Sequence, residues 1–315
     1  MNVRRLIPAA ALSAAAVLGL SACSGSSTSA ATKDGKLDVV ASFYPMQYLA
    51  ERIGGDHVSV RNLTKPGVEP HDLELSPKQT ASLGEAGLIV YLKGIQPAVD
   101  KAIAQSGAKH TVDAAGLTKL EDHGTEVGHD HEGEEHHGES EAGADPHVWL
   151  DPVKYAEVAQ GVGKALQKAD PDHAADYKKN TDAVVKDLGT LNEKFAAGLK
   201  NTATKTFITT HSAFGYLAER YGLTQEGIAG IDPEAEPSPA RVKELQSIAK
   251  KDHVDTVFFE TLASDKTAKT LAKDTGLKTD VLDPLEGITK KSKGEDYLKV
   301  MESNLAALQK ALGAK

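Results

Sequence analysis

Residues 121–143, EDHGTEVGHDHEGEEHHGESEAG, carry five histidines and nine carboxylates and not one lysine or arginine. A segment with so little apolar surface cannot contribute to a core. Any fold must therefore be assembled from the chain on either side of it, and the segment itself is expected to be a disordered loop. Imidazole and carboxylate are the donors that zinc, copper and nickel prefer. His123, His129, His131, His136 and His137 are accordingly candidate secondary metal ligands. The alternative is a solvated acidic linker, but seven histidines serve the other 292 residues while five fall in these 23. The tract runs directly into Asp145-Pro146-His147-Val148-Trp149-Leu150-Asp151-Pro152, which reads as ordered.

The formal net charge of −9 is that of the tract: outside it, 36 acidic residues face 36 basic ones. No basic stripe or nucleic-acid motif is present, so nucleic acid is not expected as a partner. Cys23 is the single cysteine, which rules out an intramolecular disulfide and a cysteine-based zinc site. It follows a basic MNVRR start, a fifteen-residue apolar stretch Leu6 to Leu20 and the small pair Ser21-Ala22. Fifteen residues fall short of the roughly twenty that span a bilayer. The pattern is that of a secretory signal over 1–22 ending in a lipobox-like cysteine. Acylated Cys23 would anchor the chain to membrane lipid outside the bacterial cytoplasm, through a small, polar, flexible tether over 23–36.

Beyond the tether, strand and helix patterns alternate. Leu37 to Phe43, Val58 to Leu63, Leu88 to Leu92 and a segment near 109–113 read as strands, with helices opening at Pro45, Pro77 and Pro97. Over 171–200, Tyr177, Val184, Leu188, Leu191, Phe195 and Leu199 recur at helical spacing, which predicts one long helix or, alternatively, a helical hairpin. Alternation then resumes, with strands at Thr206 to Thr210, Thr256 to Phe259 and Thr279 to Leu282. These patterns predict an α/β protein of two lobes, each with a mainly parallel sheet flanked by helices, joined by a long rigid helix. The lobes are expected over 37–168 and 202–315, with the linking helix over 169–201.

Three ordered histidines lie where strand-like segments give way to loop or helix. His71 follows the second strand, His147 follows the acidic tract, and His211 ends TFITT. In parallel α/β sheets ligands collect at the carboxyl ends of strands, so the three could meet between the lobes. A fourth donor is expected from the second lobe. Asp283, ending TDVL, fits best, and Glu260, ending TVFF, competes with it. Three imidazoles and a carboxylate complete a tetrahedral zinc shell and leave no position open for catalysis. Each imidazole also needs an orienting partner, for which Asp72, Asp145 and Asp151 are near in sequence. His57, His110, His173 and His253 sit in polar surroundings and read as surface residues. A secreted zinc hydrolase is the rival from another class, but no HExxH helix is present.

The segments PGVEPHDLELSP (66–77), DPHVWLDP (145–152), THSAFGYLAERYGL (210–223), FFE (258–260) and LDPLEG (282–287) together resemble the zinc/manganese solute-binding lipoproteins of ABC importers, most closely the ZnuA-like zinc branch. The resemblance runs from Leu37 to the C-terminus. It implies a monomeric, non-enzymatic protein that delivers Zn2+ to a membrane permease served by a separate ATPase. It implies a metal held between the lobes by His71, His147, His211 and Asp283, although some zinc members put water in the aspartate's place. Manganese members carry glutamate where His211 stands, which leaves manganese or iron as the alternative cargo. A histidine-rich loop is typical of zinc members, and a surface adhesin, which some relatives resemble, is a third alternative.

Overall fold

The computed structural model describes residues 32–33, 35–123 and 144–315. Cys23, the signal segment and His129, His131, His136 and His137 lie outside the described residues. The first sheet contains β1 (Thr32–Lys33), β2 (Lys36–Ala41), β3 (Val58–Asn62), β4 (Leu88–Tyr91) and β5 (Thr111–Asp113). Its four longer strands are parallel, in the spatial order β3-β2-β4-β5. β1 pairs antiparallel with the start of β2, Thr32 opposite Leu37, so the tether expected through residue 36 is already strand by residue 32. The second sheet contains β6 (Thr206–Thr209), β7 (Thr224–Gly227), β8 (Thr256–Phe259) and β9 (Lys278–Val281), all parallel, in the order β7-β6-β8-β9. The two orders are identical when each lobe is numbered from its own first parallel strand. Each chain path runs to one side of that first strand and then crosses to the other, which creates a crevice at the strands' carboxyl ends. β7 escaped the sequence pattern because TQEG is polar, as suits a partly exposed edge.

Helices flank both sheets. In the first lobe these are α1 (Tyr44–Gly54), α2 (Pro77–Leu83) and α3 (Pro97–Ser106). α2 opens with a full capping box, Ser76 and Gln79 each bonding the other's backbone. Next come α4 (Pro152–Ala169) and α5 (Ala174–Gly198), and the second lobe carries α6 (Gly215–Tyr221), α7 (Pro239–Lys251), α8 (Lys266–Thr275) and α9 (Tyr297–Ala311). The stripe over 171–200 forms one uninterrupted helix, α5, after a short 3-10 turn at Pro171–His173. That turn reverses the chain, so α5 folds back along α4. Gly163 lets them approach closely, since a Cβ there would strike the Thr181 side chain. α5 also packs against α1 of the first lobe and α9 of the second, which makes it the spine between them.

One hydrophobic cluster runs through both lobes, from Val39 and Trp149 through Leu188 and Phe195 to Phe258 and Tyr297. Polar bonds cross the same seam. Trp149 Nε1 donates to Pro284 O at 2.7 Å, and the Tyr297 hydroxyl donates to Trp149 O at 2.6 Å. Arg220 on α6 clamps the fully buried Asp151, the N-cap of α4, at 2.7 and 2.9 Å. Among the described residues no helix is long and apolar enough to cross a membrane.

Candidate metal centre

His71 lies in the loop between β3 and α2, and His147 immediately precedes a 3-10 turn over Val148–Leu150. His211 follows β6 by two residues. The folded chain brings these three imidazoles together at the carboxyl ends of the two sheets, with ring centroids 5.4–6.2 Å apart. Their Nε2 atoms point at one atom, Oε1 of Glu286, at 3.3, 3.2 and 3.2 Å respectively. His147, His211 and Glu286 are buried, and His71 keeps only 11 % of its side chain exposed.

Glu286, not Asp283, supplies the carboxylate. The reason lies in the loop after β9. Asp283 Oδ1 accepts the backbone N–H of Leu285 at 2.9 Å, and its Oδ2 accepts the Thr261 hydroxyl at 3.1 Å. Asn304 holds the backbone on both sides of Asp283, accepting from its N–H at 3.0 Å and donating to its carbonyl at 2.7 Å. Leu285, buried, adopts φ +59, a left-handed conformation uncommon outside glycine. Asp283 therefore closes an Asx-type turn on itself, and the turn presents Glu286 to the histidines. Glu260, the competing carboxylate, stands behind His211: its Oε1 receives His211 Nδ1 at 2.9 Å and the Thr210 hydroxyl at 2.6 Å.

Outer partners fix the tautomers. Asp145 Oδ1 lies 2.8 Å from His147 Nδ1 and also accepts the His147 backbone N–H at 2.9 Å. A carboxylate is an acceptor only, so it selects the Nδ1–H form of each imidazole. Of the aspartates expected to orient imidazoles, Asp145 does so, Asp151 instead caps α4 and binds Arg220, and Asp72 is exposed. With Nδ1 protonated in His147 and His211, their Nε2 lone pairs face the Glu286 oxygen. That arrangement is repulsive unless a proton or a cation sits between them. Without a cation, protons serve. Burial opposes a charged His147, but hydrogen bonds to Asp145 and Glu286 outweigh it and raise its pKa. Burial likewise opposes a charged His211, and Glu260 and Glu286 lift its pKa well above the ordinary value. Burial would raise Glu286, yet the imidazoles hold it well below the carboxylate range.

The spacing of the carboxylate oxygen from each imidazole nitrogen suits a tetrahedral cation. Bonds of 2.0–2.2 Å at the tetrahedral angle separate neighbouring donors by about 3.4 Å, close to the 3.2–3.3 Å found between each Nε2 and Glu286 Oε1. The sequence pattern also passed over Glu69. Burial and the neighbouring Glu286 push its carboxyl up to about 10. Carboxylate oxygens of Glu69, Glu260 and Glu286 all lie within 4.8 Å of one another. Both missed glutamates stand in quoted motifs, two residues before His71 and three after Asp283. His123, expected as part of a loose loop, is instead seated in the folded protein, outside the four-residue cluster.

Residues 39–311 match the family model described as the periplasmic component A of the zinc-uptake complex. The high-affinity zinc uptake system protein ZnuA of Bacillus subtilis is 40 % identical over 310 residues, covering 96 % of each chain. The zinc-binding lipoprotein AdcA of Streptococcus pneumoniae is 40 % identical over 283 residues, 88 % of this chain. This chain spans only 56 % of AdcA's length. The crystal structure of the Zn(II)-bound ZnuA-like domain of that AdcA superposes with a TM-score of 0.73 at 36 % identity, covering 88 % of this chain and 99 % of the domain.

Proposed function

The chain belongs to the ZnuA family of zinc-uptake components, and from that premise we propose that it captures Zn2+ between its lobes and hands it to an ABC permease driven by a separate ATPase. The observation that carries the reading is the convergence of three imidazole Nε2 atoms on one buried carboxylate oxygen at tetrahedral spacing. His71, His147, His211 and Glu286 hold the ion as cargo. A nitrogen-rich set favours zinc over manganese. Four protein donors close the shell, which suits capture and not hydrolysis. Delivery takes place outside the cytoplasm, from a monomer anchored through acylated Cys23. His129, His131, His136 and His137 collect zinc loosely and raise its concentration near the centre.

Elemental analysis of the purified mature protein, before and after mild chelation, tests the reading. One tightly held zinc per chain is expected, and it should disappear in His211→Ala while surviving in His57→Ala. Manganese in preference to zinc, or no retained metal, would overturn it.

A further inference from the structure

His123 is the first histidine of the acidic tract, yet it is held as firmly as a core residue. Its Nδ1 lies 2.9 Å from Asp145 Oδ2, and its Nε2 lies 2.9 Å from Oε2 of Glu219 on α6. Its ring stands edge-on to Tyr216 with centroids 4.3 Å apart. The space it fills exists because residue 215 is glycine: a Cβ there would collide with Cβ and Cγ of His123 and come within 2.9 Å of Asp145 Oδ2. The backbone at the base of the tract is pinned as well. Glu121 N–H donates to the Tyr216 hydroxyl at 2.8 Å, that hydroxyl donates to Asp145 O at 2.7 Å, and Asp145 N–H donates to Glu121 O at 2.9 Å.

We propose that Glu121, His123 and Glu219 form a second binding site for a borderline divalent cation, at the rim of the seam between the lobes. Donor atoms of the three residues all lie within 4.8 Å of one another. The fully buried Asp145 accepts from Nδ1 of His123 on one oxygen and from Nδ1 of His147 on the other. With Nδ1 of His123 protonated toward Asp145, its Nε2 turns a lone pair toward the Glu219 carboxylate, as the imidazoles of the main centre do toward Glu286. A proton or a cation satisfies that pair. The Glu219 side chain is 62 % exposed and can withdraw from 2.9 Å to the spacing a bound ion needs. Lys154 Nζ, 3.3 Å from Glu121 Oε1, and Lys119 Nζ, 3.5 Å away, oppose part of the added charge. Three protein donors with water in the remaining position, beside two ammonium groups, make this a weaker site than the main centre. Glu121 and His123 open the tract on the first lobe's side while Glu219 sits on α6, so a bound ion ties the two lobes together. The Asp145 side chain links His123 of this site to His147 of the main centre.

The test replaces residues 124–143 with a short glycine–serine linker and titrates zinc against a chromophoric chelator at pH 7.5. Two equivalents per chain are expected, one tight and one weaker. In the same background His123→Ala and Glu219→Gln should each abolish the weaker equivalent and keep the tight one. A single equivalent in the linker variant, or a second that survives both substitutions, would overturn the proposal. Loss of the tight equivalent would instead contradict the assignment of the main centre. Glu219 is exposed, so its variant tests the site without threatening the fold.

Discussion

Asp145 Oδ1 and His147 Nδ1 lie 2.8 Å apart with both side chains excluded from solvent. A buried carboxylate paired to the far nitrogen of an imidazole orients the ring and raises its basicity as a ligand. Asp145→Ala is expected to weaken zinc binding at the main centre by roughly 10–100-fold without abolishing it. Asp145→Asn, which retains an acceptor oxygen, should lose less. Chelator competition measures both, and an unchanged constant in Asp145→Ala would show that the pair does not support the site.

Glu286 and Asp283 should separate cleanly. Glu286→Ala removes a donor and is expected to cost more affinity than the roughly 10–100-fold typical of an outer partner. Asp283→Asn is expected to leave zinc affinity near wild type. It should instead lower folding stability by about 1–3 kcal/mol, because its carboxylate satisfies the Leu285 N–H and the Thr261 hydroxyl. Titration and chemical denaturation of the two variants check this, and the reverse pattern would return Asp283 to the coordination shell.

Affinity should fall with acidification, and early. Zinc needs neutral imidazole, and the folded pKa values of His147 and His211 are raised by their carboxylate partners. Proton competition therefore begins above the ordinary histidine value of about 6.5. For the metal-free protein the sign reverses. A raised histidine pKa contributes stability that is fully present below about 6.5 and is lost as pH climbs through the folded value. Zinc titrations and thermal melts of apo protein between pH 5.5 and 8.5 read both slopes. A pH-independent zinc constant would contradict a three-histidine centre.

Trp149→Phe is expected to destabilise the seam. The indole N–H is the hydrogen-bond partner of the Pro284 carbonyl, and leaving that buried acceptor unpaired costs about 1–3 kcal/mol. The one tightly held zinc should be retained, because the indole contributes no donor to the cluster. Denaturant unfolding gives the first quantity and elemental analysis the second.

Most of the strand and helix order (β1, β7 and α4 excepted), the parallel character of both sheets and the long spine were legible because hydrophobic periodicity is a local property. His211 stood out because it follows a strand by two residues, where parallel sheets gather ligands, and His71 and His147 because each sits in a distinctive motif of the loops that the fold carries to the same place. Tertiary structure decided the rest. LDPLEG holds two carboxylates three residues apart, and no pattern tells which one faces the histidines. The choice depends on Asp283 bonding its own turn and on the left-handed Leu285 that swings Glu286 inward. His123 looked like one histidine among five, and only the gap left by Gly215 on α6, more than ninety residues away in sequence, distinguishes it. Periodicity fixes which face of an element is buried, whereas the partner across the seam is set by long-range packing that a local pattern does not encode.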